Sequence, residues 1–229
     1  MIKVLSSWNE IGDSILGLQR AGLPTHPTAQ KNWDHFLLSE LLASTNRGAV
    51  IVDLGCGEGY SLSLLHALGF KTIHGMDLRI DWRARARQLQ AMRREKTLST
   101  PYRLHKRDIT RTSFQPESCD VAVSISTIEH GVDIKRFLDE VLRILKPGGL
   151  LFLTTDYWEN KMPTNGARVY GLPWQVFCRD QLETLITSAG ELGLKLALET
   201  AIPPCADRPV TWQDSSYTFV ALAFRKNGN

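Results

Sequence analysis

Residues Ala49–Tyr60 read AVIVDLGCGEGY. Ala49 to Asp53 is a short apolar run that closes on an acid, the pattern of a buried strand. Gly55, Gly57 and Gly59 follow on alternate positions, and Leu62, Leu64, Leu65 and Leu68 then take up a helical pattern. Strand, glycine-rich turn and helix in that order open a nucleotide-binding α/β fold. Glycine serves such a turn because it accepts φ > 0 and lets a ligand close on the backbone where a Cβ would stand.

The spacing narrows the ligand. A dinucleotide turn reads G-x-G-x-x-G and seats a pyrophosphate at the helix N-terminus. Here the glycines run G-x-G-x-G, Tyr60 fills the slot of the third dinucleotide glycine, and Asp53 would repel a pyrophosphate. An acidic strand end suits a cationic group instead, such as the ammonium and sulfonium of S-adenosylmethionine. The run Asp53–Gly59, DLGCGEG, resembles the first motif of the class I S-adenosylmethionine-dependent methyltransferases.

Further segments carry the same resemblance. Lys71–Asp77, KTIHGMD, predicts a second strand ending on an acid 24 residues beyond Asp53. A carboxylate there accepts two hydrogen bonds from a ribose diol, or it serves the turn. Tyr102–Lys106 predicts a third strand, followed by Asp108 and Ile109. Ser118–Ile125 predicts a fourth, running into Ser126-Thr127-Ile128-Glu129-His130-Gly131. Leu150–Thr155 predicts a fifth, after Lys146-Pro147-Gly148-Gly149. The I-E-H after the fourth strand and the L-K-P-G-G before the fifth match the family, and the motifs stand in the family's order over about 100 residues. The segments KNWD, DITRT, IEHGVD and YGLPW also resemble a bacterial, type 11-like group tied to glycan and secondary-metabolite assembly.

The resemblance implies S-adenosylmethionine as cofactor, a small-molecule acceptor, and a site built from several turns. Asp53, Gly55, Cys56, Gly57 and Gly59 would form the methionine-side loop. Asp77 would take the ribose hydroxyls, with Leu78 beside it. Asp108 would accept from the adenine amino group, with Ile109 against the ring; the alternative is a simple Asx turn. Ser126 would meet the cofactor through its backbone. His130 matches in position the base histidine of plant-type O-methyltransferases, and imidazole titrates in the range a general base needs; otherwise it caps the following helix. Asp156, Tyr157, Trp158 and Tyr170 are weaker candidates for the acceptor pocket.

The expected architecture is a Rossmann-like, doubly wound sheet of seven strands in the order 3-2-1-4-5-7-6, one of them antiparallel. Residues 1–47 would form a helical cap (helices over 7–21 and 28–44), and 48–229 the methyltransferase domain. His26, Lys31, Asn32, Trp33 and Asp34 could line the mouth under that cap. Further helices are expected over 80–95, along Ile134–Leu145 and over 179–190. The last strands are expected at Leu194–Ala201 and Tyr217–Phe224.

Composition excludes other classes. With 43% hydrophobic and 22% charged residues in 229, the chain is of ordinary globular make-up. No apolar run approaches a membrane span of roughly 18 residues, and the start lacks a signal-peptide core, so a cytoplasmic protein is expected. The four cysteines are dispersed without a C-x-x-C pair, which argues against a thiolate metal site. Residues 71–115 carry 12 Lys/Arg against 4 Asp/Glu, centred on Arg79, Arg83, Arg85, Arg87, Arg93, Arg94 and Lys96. This reads as a solvated helix face rather than a nucleic-acid patch, since only Trp82 is interleaved. The segment Ser124–Thr127 lacks the proline of the (D/N)-P-P-(Y/F/W) motif that amino-methylating nucleic-acid enzymes carry. The glycine spacing and a missing Tyr-x-x-x-Lys pair speak against a nicotinamide enzyme. A non-catalytic relative and a homodimer are both compatible with the sequence.

Overall fold

The sheet is built outward from the apolar run that closes on Asp53. In this computed structural model the described residues are 1–80, 102–198 and 201–228. In chain order they form β1 (Ile2–Val4), α1 (Trp8–Arg20), α2 (Lys31–Leu41), β2 (Val50–Leu54), α3 (Tyr60–Ala67), β3 (Thr72–Asp77), β4 (Arg103–Lys106) and β5 (Cys119–Ile125). Then come α4 (Ile134–Ile144), β6 (Leu145–Tyr157), β7 (Arg168–Val169), β8 (Leu172–Pro173), α5 (Arg179–Leu192), β9 (Leu194–Leu196), β10 (Val210–Trp212) and β11 (Ser215–Lys226). The helix expected over 80–95, with most of the basic residues, lies outside the described residues.

The strands run β4-β3-β2-β5-β6-β11, parallel from β4 to β6, with β11 antiparallel on β6. This is the expected Rossmann-like order as far as the antiparallel strand. Its outer place is shared rather than held by one long strand. β1 pairs with residues 220–222 of β11, and β9, shortened to three residues, pairs with residues 224–226. β10 folds back on the start of β11. The first of these pairings was not expected, because the three-residue stretch Ile2–Val4 is too short to show an alternation. The turn 146–149 is a bulge within β6 rather than a break before it. Register moves from Cys119↔Leu145 to Val121↔Leu150, so six residues of β6 stand against three of β5.

Alternate residues of each strand enter opposite cores, as the two-residue period of a strand requires. On one face Ile51, Val121, Val123 and Phe152 pack with Trp33, Leu37 and Leu38 of α2 and Leu62 of α3. On the other, Val52, Leu54, Leu151 and Leu153 pack with Phe137, Leu138 and Val141 of α4 and Leu182 of α5. Each such fully buried side chain contributes about 1.5–3 kcal/mol. The α1–α2 pair is fastened by Trp33 Nε1, which donates to Glu10 Oε2 at 3.1 Å. Ser7 caps α1 by accepting from the Glu10 N–H. Among the described residues no helix is long and apolar enough to cross a membrane.

Candidate active site

The parallel strands β2, β3, β4, β5 and β6 all deliver their carboxyl ends to one edge, where the turns cluster. After β2 the chain turns under β3: the Gly55 and Cys56 N–H groups donate to the Met76 carbonyl at 2.8 and 3.0 Å. Gly55 takes φ +95°, and a Cβ there would overlap the Thr127 side chain of the loop after β5. Gly57, at φ +46°, is different, since nothing lies within 4 Å of where its Cβ would be. The backbone is bare on its open side. Gly59, at φ +86°, begins α3.

Asp53 is buried beneath this loop. Ser61 donates to its Oδ2, but Oδ1 has no hydrogen-bond partner among the described residues. Burial, with Asp77 nearby, pushes the carboxyl up to about 7 against the opposing bond from Ser61. Asp77, at the end of β3, accepts from Gly57 N–H at 3.0 Å and from Arg79 N–H at 2.8 Å. Leu78 beside it is exposed. Asp108 accepts from the Thr110 N–H and hydroxyl, both at 2.8 Å, which is the Asx turn foreseen as its alternative role. Its position stays exposed at the edge, while Ile109 is buried in the α4-side core.

The loop after β5 holds the densest charge. Ser126 takes φ +47°, uncommon without a glycine, and its N–H donates to the Thr154 carbonyl at 3.0 Å. The Lys31 ammonium, reaching over from α2, donates to Ser126 Oγ. It also lies 3.4 Å from Asp34 Oδ2 and 3.7 Å from the Phe219 ring centroid. Asp34, Glu129 and Asp156 are all at least 95% buried. Neither Asp34 oxygen has a hydrogen-bond partner among the described residues. Glu129 accepts from Thr155 Oγ1 at 2.9 Å, and Asp156 from Trp174 Nε1 at 2.8 Å. Burial raises all three carboxyls, Asp34 to about 6, with Lys31 pulling each of them back. The Asp156 charge adds to the rise at Glu129.

His130 follows Glu129 in this loop. Its Nδ1 is buried with no partner among the described residues, and its ring lies 6.1 Å from Tyr170, edge to face. Burial, and after it the Lys31 charge, lowers its pKa, against an opposing pull from Asp77. Tyr170 is 72% exposed at the tip of the β7–β8 hairpin, which leans on the loop where Pro173 meets Gly131. Trp174, just after the hairpin, stacks with Trp212 and Tyr217 at 4.7 and 5.6 Å.

The remaining sequence candidates divide. Trp33 points to α1, and Asn32 ties down the turn at His26 through bonds of 2.8 and 3.0 Å. His26 stacks on Tyr60 at 4.3 Å. Tyr157 is fully buried and donates to Glu159, and Trp158 lies under Arg208. The Lys31–Asp34–Glu129–Asp156 cluster is the feature that sequence reading did not assemble. Its one local signal was an aspartate and a lysine on the buried side of a capping helix.

Residues 52–153 match a family model described as a methyltransferase domain. Over 207 residues the chain is 27% identical to the ubiquinone biosynthesis O-methyltransferase of Chelativorans sp., covering 82% of this chain and 76% of that one. It spans 37% and 43% of the length of two further curated relatives. The geranyl diphosphate C-methyltransferase of Streptomyces coelicolor A3(2) has a similar fold, with a TM-score of 0.62 and 19% identity over 90% of this chain and 88% of that one. The [4+2]-cyclase SpnF has a TM-score of 0.62 and 18% identity, over 96% and 94%. The family model, the curated relatives and the similar folds together support a class I S-adenosylmethionine-dependent methyltransferase.

The residues present fit that cofactor. A buried, orphaned Asp53 oxygen is answered by a cationic group, which would also bring its carboxyl back down. The bare backbone at Gly57 is a cradle that any side chain would fill.

Proposed function

We propose that the chain methylates a hydroxyl group of a small molecule, a sugar, glycan precursor or secondary metabolite, with His130 as general base. In this reading residues 48–229 hold the transferase and the preceding helices cap its mouth. When bound, S-adenosylmethionine supplies a methyl group on a sulfonium leaving group. The chain's task is to place the acceptor in line and to take its proton. Asp53, Gly55, Cys56, Gly57 and Gly59 hold the methionine end. Asp77 and Leu78 flank the ribose, Asp108 and Ile109 the adenine, and Ser126 offers its backbone. The His130 imidazole would take the acceptor hydroxyl's proton as the methyl–sulfur bond gives way to a methyl–oxygen bond and the neutral thioether leaves.

The observation that carries this reading is the His130 ring on the loop after β5, its Nδ1 without a partner among the described residues and the exposed Tyr170 ring edge to face with it. Its test pairs calorimetric titration with S-adenosylhomocysteine with a turnover screen of hydroxylated sugars, phenols and natural-product scaffolds. His130→Ala is expected to bind S-adenosylhomocysteine like the parent and to lose turnover by about 10²-fold or more. Full turnover in that variant removes the base role.

A further inference from the structure

The glycine loop after β2 and the loop after β5 meet at one side chain. The three atoms nearest to the place of a Gly55 Cβ are Oγ1, Cγ2 and Cβ of Thr127. The threonine therefore fills the space that any other residue at 55 would claim. Its Oγ1 donates to the Ile125 carbonyl at 3.1 Å and reaches the Gly55 carbonyl at 3.4 Å, across 72 positions of chain.

From Thr127 the chain runs directly to His130. The His130 N–H donates to the Thr127 carbonyl at 3.1 Å, which closes the turn Thr127-Ile128-Glu129-His130. That turn is pinned along its length. Ser126, just before it, is held at φ +47° with its N–H on the Thr154 carbonyl. Ile128 is fully buried in the α4-side core. The Glu129 carbonyl accepts from the Gln175 N–H at 3.1 Å, and its carboxyl accepts from Thr155 Oγ1. A turn packed this closely passes a push along rather than absorbing it.

We propose that Thr127 is a positioning residue for methyl transfer: through its contact with Gly55, the shape of the cofactor loop sets where the His130 ring stands. The inference rests on the base reading of His130. A glycine loop held by bound cofactor holds Thr127, and Thr127 holds the turn that ends on His130. The cofactor loop and the base then come into register together. Register matters because a misplacement of about 1 Å costs about 10²-fold in rate.

The experiment is NMR of the His130 ring protons in the cofactor-free protein, assigned against His130→Ala. It needs no acceptor. It compares the parent, Gly55→Ala, Thr127→Gly and the double variant, with Gly57→Ala as control because nothing lies within 4 Å of that Cβ. Gly55→Ala is expected to push Thr127 and move the His130 signals. In the Thr127→Gly background the same alanine should move them less than about a third as far. Gly57→Ala should leave them in place. Equal movement in both backgrounds overturns the proposal, and so do His130 signals in Gly55→Ala that match the parent.

A second measurement covers a Gly55→Ala chain that does not fold. On an acceptor from the turnover screen, Thr127→Ala should lower kcat by about 10-fold, with acceptor KM and S-adenosylhomocysteine affinity within about threefold of the parent. A loss confined to KM or to that affinity overturns the proposal. If the ring signals move as expected but His130→Ala keeps full turnover, the link between the loops stands and the role in transfer falls with the base reading.

Discussion

The Asp77 carboxylate accepts a hydrogen bond from the Gly57 backbone N–H at 3.0 Å, so the end of β3 holds the glycine loop after β2 in place. The same oxygen is the one a ribose hydroxyl would seek. In the proposed reading the loop is thus preorganised by the group that would take the ribose, so loop shape and ribose recognition would share one carboxylate.

Asp77→Ala is therefore expected to lose both. Hydrogen bonds to a charged group contribute about 1.5–3 kcal/mol, so affinity for S-adenosylhomocysteine should fall by about 10- to 100-fold. Calorimetric titration measures it directly. Unchanged affinity would remove the ribose assignment.

The two loop glycines should fail in different ways. Gly57→Val puts a side chain into open space but strains a backbone at φ +46°, so the fold should survive with a loss of about 1–2 kcal/mol while cofactor binding is blocked. Gly55→Ala drives a Cβ into Thr127 and should lower the melting temperature more. The check is thermal melting beside calorimetry. A Gly57→Val protein that binds S-adenosylhomocysteine normally would mean that the cradle lies elsewhere.

The buried acids should write themselves into stability against pH. Folding raises the Asp34 carboxyl from 3.8 to about 6 and the Asp53 carboxyl from 3.8 to about 7. The folded chain then binds more protons than the unfolded chain between about pH 4 and 7. That stabilisation is complete below pH 4 and is lost as pH rises through 6 and then 7. His35, lowered to about 3 chiefly by burial, acts oppositely and costs stability as pH falls below 6.5. Comparing Asp34→Asn with the parent cancels the histidine part. The variant should gain on the parent between pH 5 and 8 by roughly 1.4 kcal/mol, because about one pKa unit of the shift lies above pH 5. Denaturant unfolding at the two pH values decides it, and an equal difference at both would contradict the buried-acid account.

Trp174→Phe removes the indole donor from Asp156 while keeping an aromatic ring against Trp212 and Tyr217. A buried acceptor left without its partner costs about 1–3 kcal/mol. Urea unfolding should show that loss. A variant as stable as the parent would mean that Asp156 is carried by its proton and by Tyr217 alone.

The strand order and the edge that bears the site were legible because they rest on local signals. Val50–Val52 is apolar and closes on Asp53, Gly55 and Gly59 take positive φ, and Ile134–Ile144 shows an unbroken helical period. The motifs arrived in one order, and that order implies the sheet. What escaped the sequence depends on distance in space. Ile2–Val4 becomes a strand only because residues 220–222 offer an open edge. Lys31 meets Ser126 across 95 positions, and no local pattern marks such a contact. The buried Asp34 reads in sequence as an ordinary polar residue on a helix. Asp108 shows the opposite limit, since both the Asx turn and the adenine role were visible, and in the structure its oxygen serves the turn.

Strand β11 has a consequence for how the chain is made. Four strands lean on it, β6, β1, β9 and β10, and all four precede it in the chain. During synthesis the ribosome delivers their edges first and the strand that seals them afterwards. Until Ser215–Lys226 emerges, β6 exposes a long apolar edge of the kind that invites aggregation. The nascent protein therefore carries the loops of its candidate site early but can close its sheet only late, and in that interval its open edge is most exposed.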